Sequence, residues 1–294
     1  MDSEVMREAE KTERKPGKVG NFFFCLGVVV AMVLLQFGVV VAGMIPVAVK
    51  IYLENKDSMT VYMEKYTEYI STSSLMTYLE LIYVIVGITV AGIWYYFGYV
   101  RKAKKAGCYR SVWPALKRGK SVLFLLMGSL ACFSVAALLQ VGISLLFPGT
   151  AQALEENMDL MLGGDAFIGM MAVVLLAPIH EELVMRGIIL QHSKRVHGIV
   201  GCMILSALLF GLFHMNIIQG VYVLPMGLFW AYVGYRYNSV VPCMICHMLN
   251  NLLGTVIGSL LDPFEYVIVY ALMAVVFGAV TAVIGRKMEW KNAC

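Results

Sequence analysis

Eight stretches of mostly apolar side chains run along the chain, at about 20–48, 76–100, 121–147, 166–190, 198–215, 217–236, 239–260 and 265–285. A helix that crosses a bilayer needs roughly 20 such residues. This repetition is the strongest constraint on the fold, because hydrocarbon leaves no water to satisfy the backbone and each span must bond internally. Composition agrees. Hydrophobic residues make up 60% of the chain and charged residues 14%, against about 45–50% and 25% in soluble domains. A soluble enzyme, a disordered scaffold and a disulfide-rich secreted domain are excluded. The first stretch is also too long for the roughly 7–15-residue core of a cleaved signal peptide. The predicted fold is all-α: a polytopic membrane protein of about eight transmembrane helices.

The net charge of +4 reports topology before it reports a partner. Nineteen of the 23 Lys and Arg residues fall in alternate connecting segments on one side, three fall on the other, and Arg186 lies inside a span. By the positive-inside rule both termini are cytoplasmic. The resulting plan has a polar cytoplasmic segment at 1–19, three spans with their loops over 20–165, a membrane core over 166–285 and a cytoplasmic tail at 286–294. In the outer loops, Met59, Tyr62, Met63, Tyr66, Tyr69 and Ile70 follow helical spacing, as do Ala151, Leu154, Met158 and Met161. Each set predicts a short interfacial helix. The partners implied are membrane lipids and a peptide or protein substrate, with no nucleic acid. The predicted location is a bacterial cytoplasmic membrane.

Most of the seven cysteines lie in spans, and no structural disulfide is expected. The run Cys243-Met-Ile-Cys246-His247 has the spacing of a c-type haem attachment site. It lies in an apolar span, so two packing thiols beside a histidine with another task is the better reading.

Ionisable groups in hydrocarbon are costly and mark function by default. From the third span onward they are His180, Glu181, Glu182, Arg186, His214 and His247, with Asn251 as an uncharged companion. Glu182 and Arg186 are i and i+4 with the carboxylate N-terminal, the favourable order for a helical ion pair. Glu181 points about 100° away from Glu182 and has no local cation. Phe210 and His214 share a helix face, as do His247 and Asn251. Glu181 and His214 lie roughly 16 residues either side of a turn near His197-Gly198 and so reach equal depth. His247 lies about 12 Å in from its own turn, and Glu181 about 24 Å from the other, at ~1.5 Å per residue. Bringing them level requires the turn after the fourth span to project about 10 Å further.

A carboxylate and an imidazole in a wet cleft can deprotonate water, and a second imidazole with an amide can stabilise an oxyanion. The same residue types, Glu181, His214 and His247, also suit Zn²⁺ with water as fourth ligand. The segment at His180 is not the HExxH helix of zinc proteases, because position 184 is valine.

Glu181-Glu182-x-x-x-Arg186, Phe210-x-x-x-His214 and His247-x-x-x-Asn251, in that order on successive hydrophobic segments, resemble the three motifs of the CPBP family, the CAAX proteases and bacteriocin-processing enzymes. That family, also called Abi, includes the type II CAAX prenyl endopeptidases. The resemblance implies catalytic roles for Glu181 and His214 in activating water, and for His247 and Asn251 at the oxyanion. It implies that Glu182 and Arg186, with Phe210, support the site. The family is described both as metalloproteases and as glutamic proteases, which leaves zinc as the one candidate cofactor. An intramembrane endopeptidase acting on a lipidated or hydrophobic peptide is therefore expected, in bacteriocin processing, immunity or protein turnover. The rival readings are a non-catalytic binding or immunity protein and a transporter gated by Glu181 and Arg186.

Overall fold

The computed structural model describes residues 17–162 and 165–288. Most of the 1–19 segment and of the 286–294 tail, Cys294 included, lies outside those residues. All the regular structure described is helical: besides a single turn at Trp113–Leu116, it comprises α1 (Lys18–Glu54), α2 (Met59–Thr72), α3 (Leu75–Lys105), α4 (Gly119–Leu146), α5 (Pro148–Leu162), α6 (Ala166–Ser193), α7 (Ile199–Phe213), α8 (Ile217–Tyr222), α9 (Leu224–Tyr237), α10 (Val241–Leu260) and α11 (Val267–Arg286). Six of these, α1, α3, α4, α6, α10 and α11, are long and apolar enough to cross a membrane. The fifth and sixth predicted spans are shorter than expected. Helix α7 has 15 residues. It ends where Met215 turns left-handed, at φ 52°. The sixth span is broken in two before Pro225, which opens α9. Asn216 starts α8 by accepting the Ile218 and Gln219 amides.

The expected outer helices form as α2 and α5. Along α2 the half-buried face is Tyr62, Tyr66 and Ile70, with Tyr62 stacked on Tyr66 and edge-on to Tyr52 of α1. Along α5, Thr150, Ala151, Leu154 and Met158 are half-buried, and the Met161 side chain lies outside those described.

Helices α4 and α6 form the centre, and α11 packs along the outside of α4. Contacts gather one set of helix ends on one face of the bundle. Phe24, near the start of α1, stacks on His192 at the end of α6. Arg195 lies over Tyr99 near the end of α3. Gly285, at the end of α11, approaches Phe124 near the start of α4. The beginning of α1 and the end of α11 thus share a face, as the alternation of basic segments requires.

The turn after α6 does not project as the depth argument asked. Lys194 Nζ donates to Asn238 Oδ1, in the turn after α9, at 2.8 Å, so the two turns lie side by side. Winding within α6 narrows the depth gap in part. Residues Leu183–Ile189 wind as a π-helix, whose i→i+5 bonding fits more residues into each turn. The helix therefore descends less per residue than ideal α geometry assumes.

Close backbone approach holds α7 against α8 and α9. A Cβ at Gly227 would lie 3.1 Å from Ala207 Cα, and backbone cannot step aside. Gly227→Val is expected to cost about 1–3 kcal/mol through overpacking, seen as a lower melting temperature in detergent. Gly278→Ala meets open space and serves as the comparison without overpacking, its melting temperature unchanged or raised.

Lys194 gives a pH signature. Burial lowers its ammonium from 10.5 to about 8. Between those values the unfolded chain holds a proton that the folded one has lost, so this group makes stability rise with pH across that window. Melting curves from pH 7.5 to 10 should show this rise in the native protein and a flatter profile in Lys194→Met.

Candidate active site

The site starts from an irregularity in α6. Ahead of Pro178 the helix is π-wound over Ala172–Leu176, and the Ala177 amide bonds the Ala172 carbonyl. The next bond of that pattern would join residue 178 to Val173, but proline has no N–H. Asn251 of α10 fills the place, donating from Nδ2 to Val173 O at 2.8 Å. The missing bond thereby docks α10 onto α6 about two turns before Glu181.

Glu182 is the hub. Its Oε1 accepts from Arg186 Nη1 at 2.8 Å and pairs with His247 Nδ1 at 3.0 Å. Both Glu182 and Arg186 are wholly buried, at 0% exposure. A buried ion pair is costly unless further bonds offset its desolvation; among the described residues Glu182 Oε2 and Arg186 Nε make none, and the others are met. Here Arg186 Nη2 donates to Gly227 O at 2.9 Å, and the guanidinium lies 5.0 Å from the Phe210 ring and 5.4 Å from Trp230. His247 stacks on Trp230, with ring centres 4.1 Å apart. Because a carboxylate only accepts, His247 Nδ1 carries the hydrogen, and Nε2 faces Glu181 Oε2 at 3.7 Å.

Glu181 stands apart from this network. Its side chain keeps 15% exposure where Glu182 has none, and its Oε2 makes no hydrogen bond within the described residues. It is the carboxylate a water or substrate can reach.

His214 caps α7. Its Nδ1 lies 2.9 Å from Phe210 O, a last-turn carbonyl that the helix itself leaves open. The carbonyl can only accept, so Nδ1 holds the hydrogen and Nε2 presents a lone pair. Both imidazoles meet the Phe210 ring edge-on, His214 at 4.7 Å and His247 at 5.7 Å between centres. Phe213 bridges His214 to His180, the neighbour of Glu181.

The structure thus gathers Glu181, Glu182, Arg186, Phe210, His214, His247 and Asn251 around one region between α6, α7, α9 and α10. No hydrogen bond joins Glu181 to His214 among the described residues, and one Asn251 N–H is committed to Val173. Three contributors were missed. Trp230 and the Gly227 carbonyl lie on the α9 face marked by Gly227 and Gly234. The seven-residue spacing of those glycines is a sequence mark of close helix packing, with Trp230 between them. The Val173 carbonyl was signalled by Pro178. Cys243 and Cys246 are buried packing thiols, placed against the Trp230 and Leu125 carbonyls.

Among the described residues no group of three or more His, Cys, Asp or Glu side chains is close enough to hold a metal ion. Glu181, His214 and His247 have donor types that suit zinc, in a wider arrangement.

Fold and site together define a multi-pass membrane protein with a polar cluster among its helices. Residues 163–253 match the family described as type II CAAX prenyl endopeptidase Rce1-like. The match covers α6 to α10 with all three motifs, about a third of the chain. This agrees with the motif resemblance: the segment is similar to the type II CAAX peptidases of the CPBP family, which supports a peptidase. No curated protein and no solved structure matches the chain.

Removing one partner of the buried pair leaves the other charge uncompensated. Arg186→Met is expected to destabilise by about 3–5 kcal/mol in thermal unfolding. Adding Glu182→Leu should recover part of that loss, and a full recovery would show that His247 needs no acceptor.

Proposed function

We propose that the chain is an intramembrane endopeptidase that hydrolyses a peptide bond in a membrane-associated, lipidated or hydrophobic peptide. The observation that carries this reading is Glu181: a reachable carboxylate with a free oxygen, set beside a neutralised Glu182–Arg186 pair. Glu181 Oε2 faces His247 Nε2 at 3.7 Å, beyond hydrogen-bond distance, whereas Glu182 already serves the structural pairing with Arg186.

In this reading Glu181 and His214 Nε2 take the proton from a water held between them, and the resulting hydroxide attacks the scissile carbonyl. Negative charge develops on the carbonyl oxygen. His247 Nε2, when protonated, and the second Asn251 N–H are the donors for it. The Glu182 contact to Nδ1 fixes the orientation of that imidazole. The proton held by Glu181 or His214 then passes to the leaving amine. Zinc, if bound, would be held by Glu181, His214 and His247 and would lower the pKa of bound water. Every step above uses the chain's own side chains. A bacterial cytoplasmic membrane is the proposed setting, with bacteriocin or peptide processing as the role.

General acid–base groups contribute about 10²–10⁴-fold. In purified protein cleaving a fluorogenic hydrophobic peptide, His214→Ala is expected to lower kcat at least ~100-fold with the fold intact. Activity within a few-fold of native protein would contradict the reading. A chelator titration with metal analysis decides between the two chemistries: cleavage that persists in metal-free protein means glutamic catalysis, and loss restored by zinc means metal catalysis.

A further inference from the structure

The link between α3 and α4 carries the densest charge of one sign in the chain. Between Glu80 and Glu155 the sequence holds eight Lys and Arg residues and no Asp or Glu. All eight lie between positions 101 and 120, on the end of α3, the link and the start of α4. Every one is exposed, and none makes an ion pair among the described residues. Like charges this close repel one another, so this end of the bundle presents an unneutralised positive field.

The link also has a built shape. Gly107 turns left-handed, at φ 70°, and the Cys108 and Tyr109 amides return to the Ala103 carbonyl at 2.9 and 3.1 Å. That return brings the Tyr109 ring 5.1 Å from Lys104 Nζ, which also lies 5.8 Å from the Tyr96 ring. Arg101 lies over Phe97 at 5.6 Å. Val112 is buried and Leu116 packs on the main core, which pins the link to the bundle. Trp113, between them, faces out at 58% exposure, and Tyr109 at 50%.

Topology asks for positive charge alone. It does not ask for exposed rings set among the cations, or for a loop pinned by its apolar residues. Rings and cations together suit the boundary of a bilayer. Aromatic side chains lie there at headgroup level, and Lys and Arg are drawn to anionic lipid. The chain's own N-terminal segment is a poor occupant: residues 1–16 hold five Asp and Glu against four Lys and Arg, which leaves little net negative charge.

We propose that the α3–α4 link is a binding surface for anionic phospholipid, its cations on the headgroup phosphates and Trp113 and Tyr109 seated among the headgroups. The proposal is independent of the peptidase reading.

The test is native mass spectrometry of the purified full chain in detergent with equal amounts of phosphatidylglycerol and phosphatidylcholine of the same acyl chains. One cation near an anionic surface favours binding about 5-fold. Native protein should therefore retain phosphatidylglycerol about 5-fold or more over phosphatidylcholine. A chain carrying Arg101→Gln, Lys102→Gln, Lys104→Gln and Lys105→Gln together should bring the ratio within about 2-fold of equal. Lys50→Gln with Lys65→Gln, at the other end of α1, should leave it as in native protein. Ammonium acetate at about 1 M should shrink the preference of native protein, because salt screens exposed charges. That arm needs no variant, so it stands even if the fourfold variant fails to fold. Equal retention of the two lipids by native protein overturns the proposal, as does a preference that survives salt. A preference unchanged in the fourfold variant overturns it as well. Capture of a polyglutamate peptide without any lipid preference overturns it and assigns the surface to an acidic protein segment.

Discussion

The site depends on one buried ion pair. Glu182 and Arg186 could not stay in the membrane interior singly. Together they bring three helices to a common point: Arg186 reaches the Gly227 carbonyl of α9, and Glu182 reaches His247 of α10. The rings of Phe210 and Trp230 exclude water around the guanidinium. This arrangement neutralises one carboxylate of the Glu-Glu step and orients a histidine beside the other. The adjacent residues then carry different tasks because 100° of helix rotation sends them into different surroundings.

Much of this was legible in the sequence. The ion pair followed from an i, i+4 spacing, and the isolation of Glu181 followed from the same helix geometry. The apolar stretches located the long helices well, since about 20 continuous apolar residues admit few other structures. Legibility failed where backbone departs from ideal α geometry. The π-wound segments over Ala172–Leu176 and Leu183–Ile189 leave no mark in apolar periodicity. They moved the depth of Glu181 away from that reckoned at 1.5 Å per residue. Pro178 removes one N–H from the ladder, but the carbonyl it frees depends on the winding. Trp230 looks like an ordinary membrane aromatic in sequence, and only its packing sets it apart.

Irregular backbone in a membrane persists where other groups satisfy it. Here the satisfying groups belong to the motifs. Asn251 bonds the carbonyl left open before Pro178, and His214 bonds the open Phe210 carbonyl at the end of α7. Two polar side chains of the motifs therefore serve the fold and the chemistry at once. The His214 bond also fixes which ring nitrogen carries hydrogen, so a helix cap becomes the orientation of a base.

The central claim is the division of labour between the neighbouring glutamates, and a paired comparison tests it most directly. Glu181→Gln and Glu182→Gln would be purified in the same detergent, and each assayed for peptide cleavage and thermal unfolding. The account predicts that Glu181→Gln abolishes turnover and melts like native protein, whereas Glu182→Gln lowers the melting temperature. A stable, active Glu181→Gln protein, or two variants with equal losses of stability, would contradict it.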